Sequence, residues 1–392
     1  MSVVTDTGAR APLPPFGPEH EHLRETVARW VREEILPHAD EWERERGFPR
    51  ELYRRAGELG FFGITAPAEL GGQGGDVVHA AVFAEEMAAA GAPGGVAAGL
   101  GAHAGIAMPP ILAFGTADQH ERYLRPAIRG ERIAALGITE PGGGSDVAAV
   151  RTRATPVEGG WEVSGSKTFI TGGCVADFLV CACRTTPEGG HGGMSFLILE
   201  RETPGYSVAR KLEKLGWHSS DTAELSFDSA FVPRENLLGA ENQGFALIME
   251  NFAWERLAMA LGAVGTMRWL LERAVAYCGE REAFGRPIGR NGVIRAKVAE
   301  MATKLEAGRA VTYSALRRHA AGEECIREVT IAKLQTQRAA VEVADECLQI
   351  HGGYGYMTEY GIERALRDAR LGPIGGGTDE IMKEILGRRM GF

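Results

Sequence analysis

Positive charge is in short supply. Lys and Arg number 43 against 52 Asp and Glu over 392 residues, a net charge of −9. No global basic field exists to hold DNA or RNA, so a nucleic-acid partner is not expected; a small phosphorylated ligand needs only a local cluster and stays compatible. Cysteine is scarce as well. The six cysteines (Cys174, Cys181, Cys183, Cys278, Cys325, Cys347) lack metal-ligand spacing, which argues against a zinc ribbon or a disulfide-stapled scaffold and for buried reduced thiols. No metal is expected. From Met87 to Ala117 there is no Asp, Glu, Lys or Arg. That run is long enough to cross a bilayer, but Pro93, Pro109, Pro110 and repeated glycines interrupt it, so a buried, pocket-lining segment is expected rather than a membrane span. Met1 to Pro18 carries four prolines and no apolar signal core. It is expected to be a tail, and the protein cytoplasmic. What is abundant is glycine, 53 residues, roughly twice the usual share. Many sit in pairs and triplets, as close backbone approach to a ligand requires.

The spacing of apolar residues divides the rest into three zones, 19–130, 131–240 and 241–392. In the first, Leu23, Val27, Trp30, Val31 and Ile35 recur at helical spacing, and Thr116 with Gln119 has the form of a capping box. The second changes period: Trp161 to Val163, Phe178 to Cys183, Ser195 to Leu199 and Ala223 to Phe227 are short β-like runs separated by turn residues, which predicts antiparallel strands. In the third only Pro287 and Pro373 remain, and the apolar faces of Phe245 to Glu282, Val293 to Ala321 and Arg327 to Ile350 predict a helical bundle.

Five segments could carry chemistry. Thr139 to Asp146 (TEPGGGSD) is a glycine-rich turn with hydroxyls and main-chain donors, suited to a phosphate or a planar ring but also to a plain turn. It is neither a dinucleotide-binding fingerprint nor a Walker loop. Gly165 to Thr171 (GSKTFIT) puts Phe169 and Thr171 on one face of a strand. Arg281 to Pro287 (REAFGRP) is a basic, aromatic helix end that includes Phe284. Gln349 to Gly353 (QIHGG) and Gly375 to Glu380 (GGGTDE) each have the form of a helix terminus.

These segments, in this order and spacing, with Ser219 to Leu225 (SSDTAEL) and Val232 to Gly239 (VPRENLLG), resemble the acyl-CoA dehydrogenase family of flavoproteins from about Glu19 to the C-terminus. The resemblance implies an α+β multidomain fold: an N-terminal helical domain, a middle β-barrel and a C-terminal four-helix bundle. It implies FAD as cofactor, with Leu136, Ile138 and Thr139 meeting the isoalloxazine, Phe169 packed on it and Thr171 near its N5. Ser145 would lie near both the flavin and the CoA pantetheine. Arg281 of a neighbouring subunit, with Phe284, would meet the pyrophosphate together with the backbone of Gln349, Gly352 and Gly353; Thr378 and Glu380 would flank the dinucleotide. The implied partners are an acyl-CoA or acyl-carrier-protein thioester, an electron-transfer flavoprotein as acceptor, and further copies of the chain in a homotetramer, a dimer of dimers.

One departure bears on catalysis. Many members carry the catalytic base in a YEGT segment before the last helix, where this chain has Gly375, Gly376, Gly377 and Thr378. The isovaleryl and long-chain members instead carry it in an ERL segment on the first bundle helix, and Glu255-Arg256-Leu257 resembles that arrangement. Glu255 is therefore the expected base, Gly376 a main-chain donor to the thioester oxygen, and Arg256 and Gly377 substrate contacts. Gly292 stands where the family usually has Gln, with Asn291 as a candidate replacement, and Glu324 where some relatives have a CoA-contacting arginine. A same-fold oxidase or N-hydroxylase using oxygen, or a catalytically silent acyl-CoA-binding paralogue, are the alternatives.

Overall fold

The structure, a computed structural model, describes residues 15–186 and 191–392; the first fourteen residues of the expected tail lie outside the described residues. Helices occupy the first zone. Helix α1 (Pro18–Trp30) begins with a proline, which is preorganised for a first turn. Helix α2 (Val77–Ala89) is capped by Asp76, whose carboxylate accepts the N–H groups of Val78 and His79. The uncharged stretch forms helix α3 (Gly94–Gly101), a π-turn over Ala102–Ala107 and a last helical piece, Met108–Phe114, with Pro109 and Pro110 in its first turn, where missing N–H groups do least harm. Gly94–Phe114 is long and apolar enough to cross a membrane by length and composition, yet Gly94, Ala97, Gly101, Gly105 and Phe114 line an internal cavity. Thr116 and Gln119 form the expected capping box through reciprocal bonds of 3.2 and 3.1 Å.

The change to strand falls between Ile128 and Ala134. The middle domain is an eight-stranded sheet of β1 (Ala134–Gly137), β2 (Arg153–Val157), β3 (Gly160–Thr171), β4 (Phe178–Arg184), β5 (Met194–Glu200), β6 (Tyr206–Lys211), β7 (Thr222–Pro233) and β8 (Leu237–Leu238). Its order is β6-β7-β3-β2-β4-β5-β8, with β1 beside β4. Most neighbours are antiparallel, as expected, but β4 runs parallel to β1 and to the start of β2. The long excursion between β1 and β4, which contains the β2–β3 hairpin, makes that possible, because parallel partners need a long connection. Trp161, Phe227 and Leu199 are among the residues of the sheet's own core.

The third zone supplies α4 (Gly244–Glu280), α5 (Gly292–Ala320), α6 (Ile326–His351), α7 (Ile362–Ala369) and α8 (Asp379–Arg389). The three long helices begin and end within two residues of the sequence expectation. Buried charges lock α1, α2, α4 and α5 together: Arg24 reaches Glu85 and Glu86 at 3.2 and 3.1 Å, Arg268 bonds Glu86, and the Tyr313 hydroxyl donates to Glu85 at 2.8 Å. Each charge is paired, as burial demands. The result fixes α2, and α2 forms one wall of the site.

Candidate active site

A cavity of about 1190 Å³ opens where the three domains meet. Its walls come from α2 and α3, from the end of β3, from the loop before β7, from α4, and from the chain between α7 and α8. Thr139, Ser145, Phe169, Thr171, Glu255, Gly376, Gly377 and Thr378 all line it, although they are scattered over more than two hundred residues of sequence.

Phe169 and Thr171 share the cavity by a local distortion. The β3–β7 register shifts between Lys167 and Ile170, and Phe169 adopts φ 60°, uncommon for a residue with a bulky side chain. The residue is 68% exposed. A strained aromatic standing free beside a threonine is what a planar ligand ring would pack on. Two residues earlier on the same strand, Lys167 is fully buried and ties the glycine-rich turn to the sheet: its ammonium donates to Glu140 Oε1 at 2.8 Å and to the Ile138 carbonyl at 3.0 Å, and Thr168 N–H donates to the Thr139 carbonyl at 2.9 Å. Thr378 caps α8 by accepting the Ile381 N–H, at a helix end that favours anions. This donor set and free ring face fit an FAD.

Glu255 is half-buried, lines the cavity and has no hydrogen-bond partner among the described residues. Burial pushes its carboxyl up, and the neighbouring Arg256 charge only partly opposes this. In the glycine turn that lines the same cavity, the Gly375 N–H is spent on the Leu371 carbonyl, whereas the Gly376 and Gly377 N–H groups have no acceptor among the described residues. Both glycines are left-handed, φ 62° and 95°. A Cβ on Gly376 would lie 2.5 Å from Met259 Sδ, so the chain passes that close only because the residue is glycine. A carboxylate with elevated proton affinity and free main-chain donors in one enclosed space can take a proton and stabilise a developing oxyanion.

The remaining expected residues lie elsewhere. Leu136 and Ile138 do not line the cavity; they pack against the core of the N-terminal helices. Arg256 does not extend into the cavity either: its Nε donates to the Gly376 carbonyl at 3.3 Å and its guanidinium lies over the Phe252 ring. Arg281, Gly352 and Gly353 line a second cavity of about 620 Å³ with Tyr277 and Tyr354, and Arg281 stacks over Tyr354. Gln349 is exposed on the last turn of α6 and outside that cavity, Phe284 is fully exposed at φ 52°, and Glu380 is exposed in the first turn of α8. The Asn291 side chain is committed to capping α5 through the Val293 N–H, beside Gly292, and Glu324 pairs with Arg389 at 2.7 Å. Three contributors were missed by sequence reasoning: Lys167, the buried Lys333 of α6, and Asp368 at the end of α7. The only available signal for Lys333 is a lone lysine inside an apolar run, Ile331 to Leu334.

Known proteins match along nearly the whole chain. Residues 17–131, 135–230 and 242–391 match the N-terminal, middle and C-terminal domain models of acyl-CoA dehydrogenase. An acyl-CoA dehydrogenase of Bacillus subtilis is 40% identical over 94% of this chain and 97% of its own. The mitochondrial isovaleryl-CoA dehydrogenase of Arabidopsis thaliana is 38% identical over 94% and 90%, and the mouse long-chain specific enzyme 37% over 99% and 89%. The crystal structure of an acyl-CoA dehydrogenase from Geobacillus kaustophilus superposes with a TM-score of 0.94 at 38% identity, covering 97% of this chain and all of that one. The three-domain fold, the cavity at the junction of its domains and these matches together make the chain a member of the acyl-CoA dehydrogenase family of FAD-dependent oxidoreductases.

Proposed function

We propose that this enzyme converts an acyl-CoA thioester to its trans-2-enoyl thioester, with Glu255 removing the α proton. The observation that carries the reading is Glu255 itself, a carboxylate that lines the cavity shared by Phe169, Thr171 and Gly376 and that, like the Gly376 N–H, has no hydrogen-bond partner among the described residues. An α C–H beside a thioester is far too weak an acid for a carboxylate in water. Enclosure raises the affinity of Glu255 for the proton, and the Gly376 N–H, donating to the thioester oxygen, lowers the α proton's pKa as negative charge moves onto that oxygen. Bound FAD supplies the acceptor for the β hydride. Phe169, Thr139, Thr171 and Thr378 would hold it, and Ser145, exposed at the cavity edge, would meet the pantetheine.

A long or branched acyl group suits the walls. Ala84, Ala88, Ala98, Gly101, Ala258 and Gly262 face the cavity from three helices, and a Cβ on Gly101 would meet nothing within 4 Å. Electrons would leave to an electron-transfer flavoprotein. Arg281 and the 352–353 turn, beside the exposed Phe284, line a pocket that shares no residue with the first, which supports a second copy bringing the two together at one FAD; the family resemblance extends this to a homotetramer, a dimer of dimers.

The test is anaerobic flavin bleaching by acyl-CoAs of varied length and branching. Glu255→Gln should keep FAD and bind acyl-CoA, yet bleach slower by at least about 10²–10⁴, the usual worth of a general base. Bleaching near the wild-type rate would remove Glu255 from the role, and fast reoxidation of the reduced wild type by air would favour the oxygen-using alternative.

A further inference from the structure

Lys333 is fully buried on α6. Its ammonium has one hydrogen-bond acceptor among the described residues, the Gly377 carbonyl at 2.6 Å. One peptide earlier, Arg256 Nε donates to the Gly376 carbonyl. Two cations near enough to repel each other thus hold two successive carbonyls of the glycine turn. A buried ammonium is costly, and two like charges at one turn more so; an aliphatic side chain would fill the same space without that cost. The arrangement makes sense for what it does to the turn. Peptides are trans, so these bonds orient the peptides that carry the Gly377 and Thr378 N–H groups; the Gly376 N–H lies on the adjoining peptide, between the held Gly376 carbonyl and the Gly375 N–H bonded to Leu371. With Gly375 N–H bonded to Leu371 and Asp379 N–H to Pro373, the stretch is tied at four points, and the Gly376 N–H has no acceptor among the described residues.

We propose that Lys333 is a positioning residue for proton abstraction: through the Gly377 carbonyl it holds the glycine turn so that the Gly376 N–H meets the thioester oxygen, and with Arg256 it puts positive potential behind that oxygen. This rests on the reading of Gly376 as the thioester donor. The charge itself can be titrated. Burial pushes the Lys333 ammonium down to about 8, opposed by Asp379 and Glu380 of α8 and reinforced by Arg256 of α4. Above that range the amine still reaches the carbonyl, but Lys333's share of the potential behind the oxygen is gone and only that of Arg256 remains.

The FAD-loaded Lys333→Met protein should be reduced by saturating acyl-CoA roughly ten- to a hundredfold more slowly, the range expected when one preorganised donor is loosened, with KM changed by less than about threefold. The wild-type rate should fall as pH rises through about 8, and Lys333→Met should lack that limb. Amide hydrogen exchange of residues 373–379, read on the same proteins without substrate, should be faster in the variant. Wild-type rate and wild-type exchange in Lys333→Met would overturn the proposal while leaving Glu255 and Gly376 in their roles. Should the variant fail to fold, a wild-type rate that stays flat across the alkaline range would overturn it equally. A wild type that no acyl-CoA bleaches would instead sink the functional reading, and this inference with it.

Discussion

Lys167 and Glu140 form a buried ion pair, Nζ to Oε1 2.8 Å, between the floor of the middle sheet and the glycine-rich turn above it. The Glu140 carboxylate also accepts the N–H groups of Arg151 and Thr152, at 2.7 and 2.8 Å. Burial alone would push its carboxyl up; the Lys167 charge and these hydrogen bonds outweigh that and hold it below the usual range. The pair therefore sets where Thr139 stands relative to Phe169, two residues beyond Lys167 on the same strand.

Replacing Lys167 by Met should leave that carboxylate buried and unpaired. The expected cost is about 3–5 kcal/mol of stability, the usual penalty for removing one partner of such a pair. FAD affinity should fall too, because the turn loses its anchor. The sign of the pH effect follows from the depressed carboxyl. In the wild type its contribution is present above the ordinary glutamate range and lost as pH falls through the lower folded value, so the gap between wild type and variant should be full at neutral pH and shrink in acid. Urea unfolding at several pH values and FAD titration of the apoprotein measure both effects. A variant equal to wild type in each would show that the turn is held by other contacts.

Asp368 makes a second prediction. It closes the junction of all three domains, Oδ2 accepting the Gly94 N–H of α3 at 3.0 Å and Oδ1 the Trp217 N–H of the loop before β7. Trp217 is left-handed, φ 53°, and a Cβ on Gly94 would sit 2.7 Å from the carboxylate, so the joint is tight. Burial pushes this carboxyl up to about 6, the two N–H donors only partly opposing it and Glu43 adding to it. A carboxyl raised in the folded state contributes stability that is full below its unfolded value near 4 and lost as pH rises through about 6. A shift of this size corresponds to at most about 3 kcal/mol. In Asp368→Asn that dependence should vanish, so the change in unfolding free energy between pH 4 and 6.5 should be smaller than in wild type. Identical pH slopes for the two proteins would exclude Asp368 as the titrating group.

These residues also mark where the sequence stops being informative. The helical and strand periods locate the zones and the three long bundle helices, because each element buries a face of fixed period. The motif residues Thr139, Phe169, Glu255 and Thr378 do converge on one cavity. The supporting charges stay hidden for a physical reason. Lys167 and Asp368 lie in polar stretches, GSKT and RDAR, that look like solvated surface, and their burial depends on segments 27 to 274 residues away. The same limit explains Arg256, whose carbonyl partner lies 120 residues further on. The resemblance offers Asn291 as a replacement ligand contact, and only the bond to the Val293 N–H shows that its side-chain oxygen caps α5.

The glycine turn offers a last test, of whether the base can be moved. Family members with the base before the final helix have a glutamate at the position of Gly376, so Glu255→Gly with Gly376→Glu would transplant it. The local geometry resists. Gly376 is left-handed, which costs a side-chain-bearing residue about 1–2 kcal/mol, and its new Cβ would run into Met259 Sδ. The double variant should therefore recover little of the flavin reduction lost in Glu255→Gly. Adding Met259→Ala removes the obstructing thioether and leaves the Met259 carbonyl free to keep its bond to Gln337. The triple variant should be faster than the double one by about tenfold, in line with the sensitivity of proton transfer to small displacements. Its new side chain would also occupy acyl space, so its preference should move towards short, unbranched thioesters. Anaerobic reduction by straight-chain and branched acyl-CoAs, on folded and FAD-loaded proteins, decides it. If the triple variant is no faster than Glu255→Gly on every substrate, Glu255 and the 376 position do not address the same carbon in this enzyme.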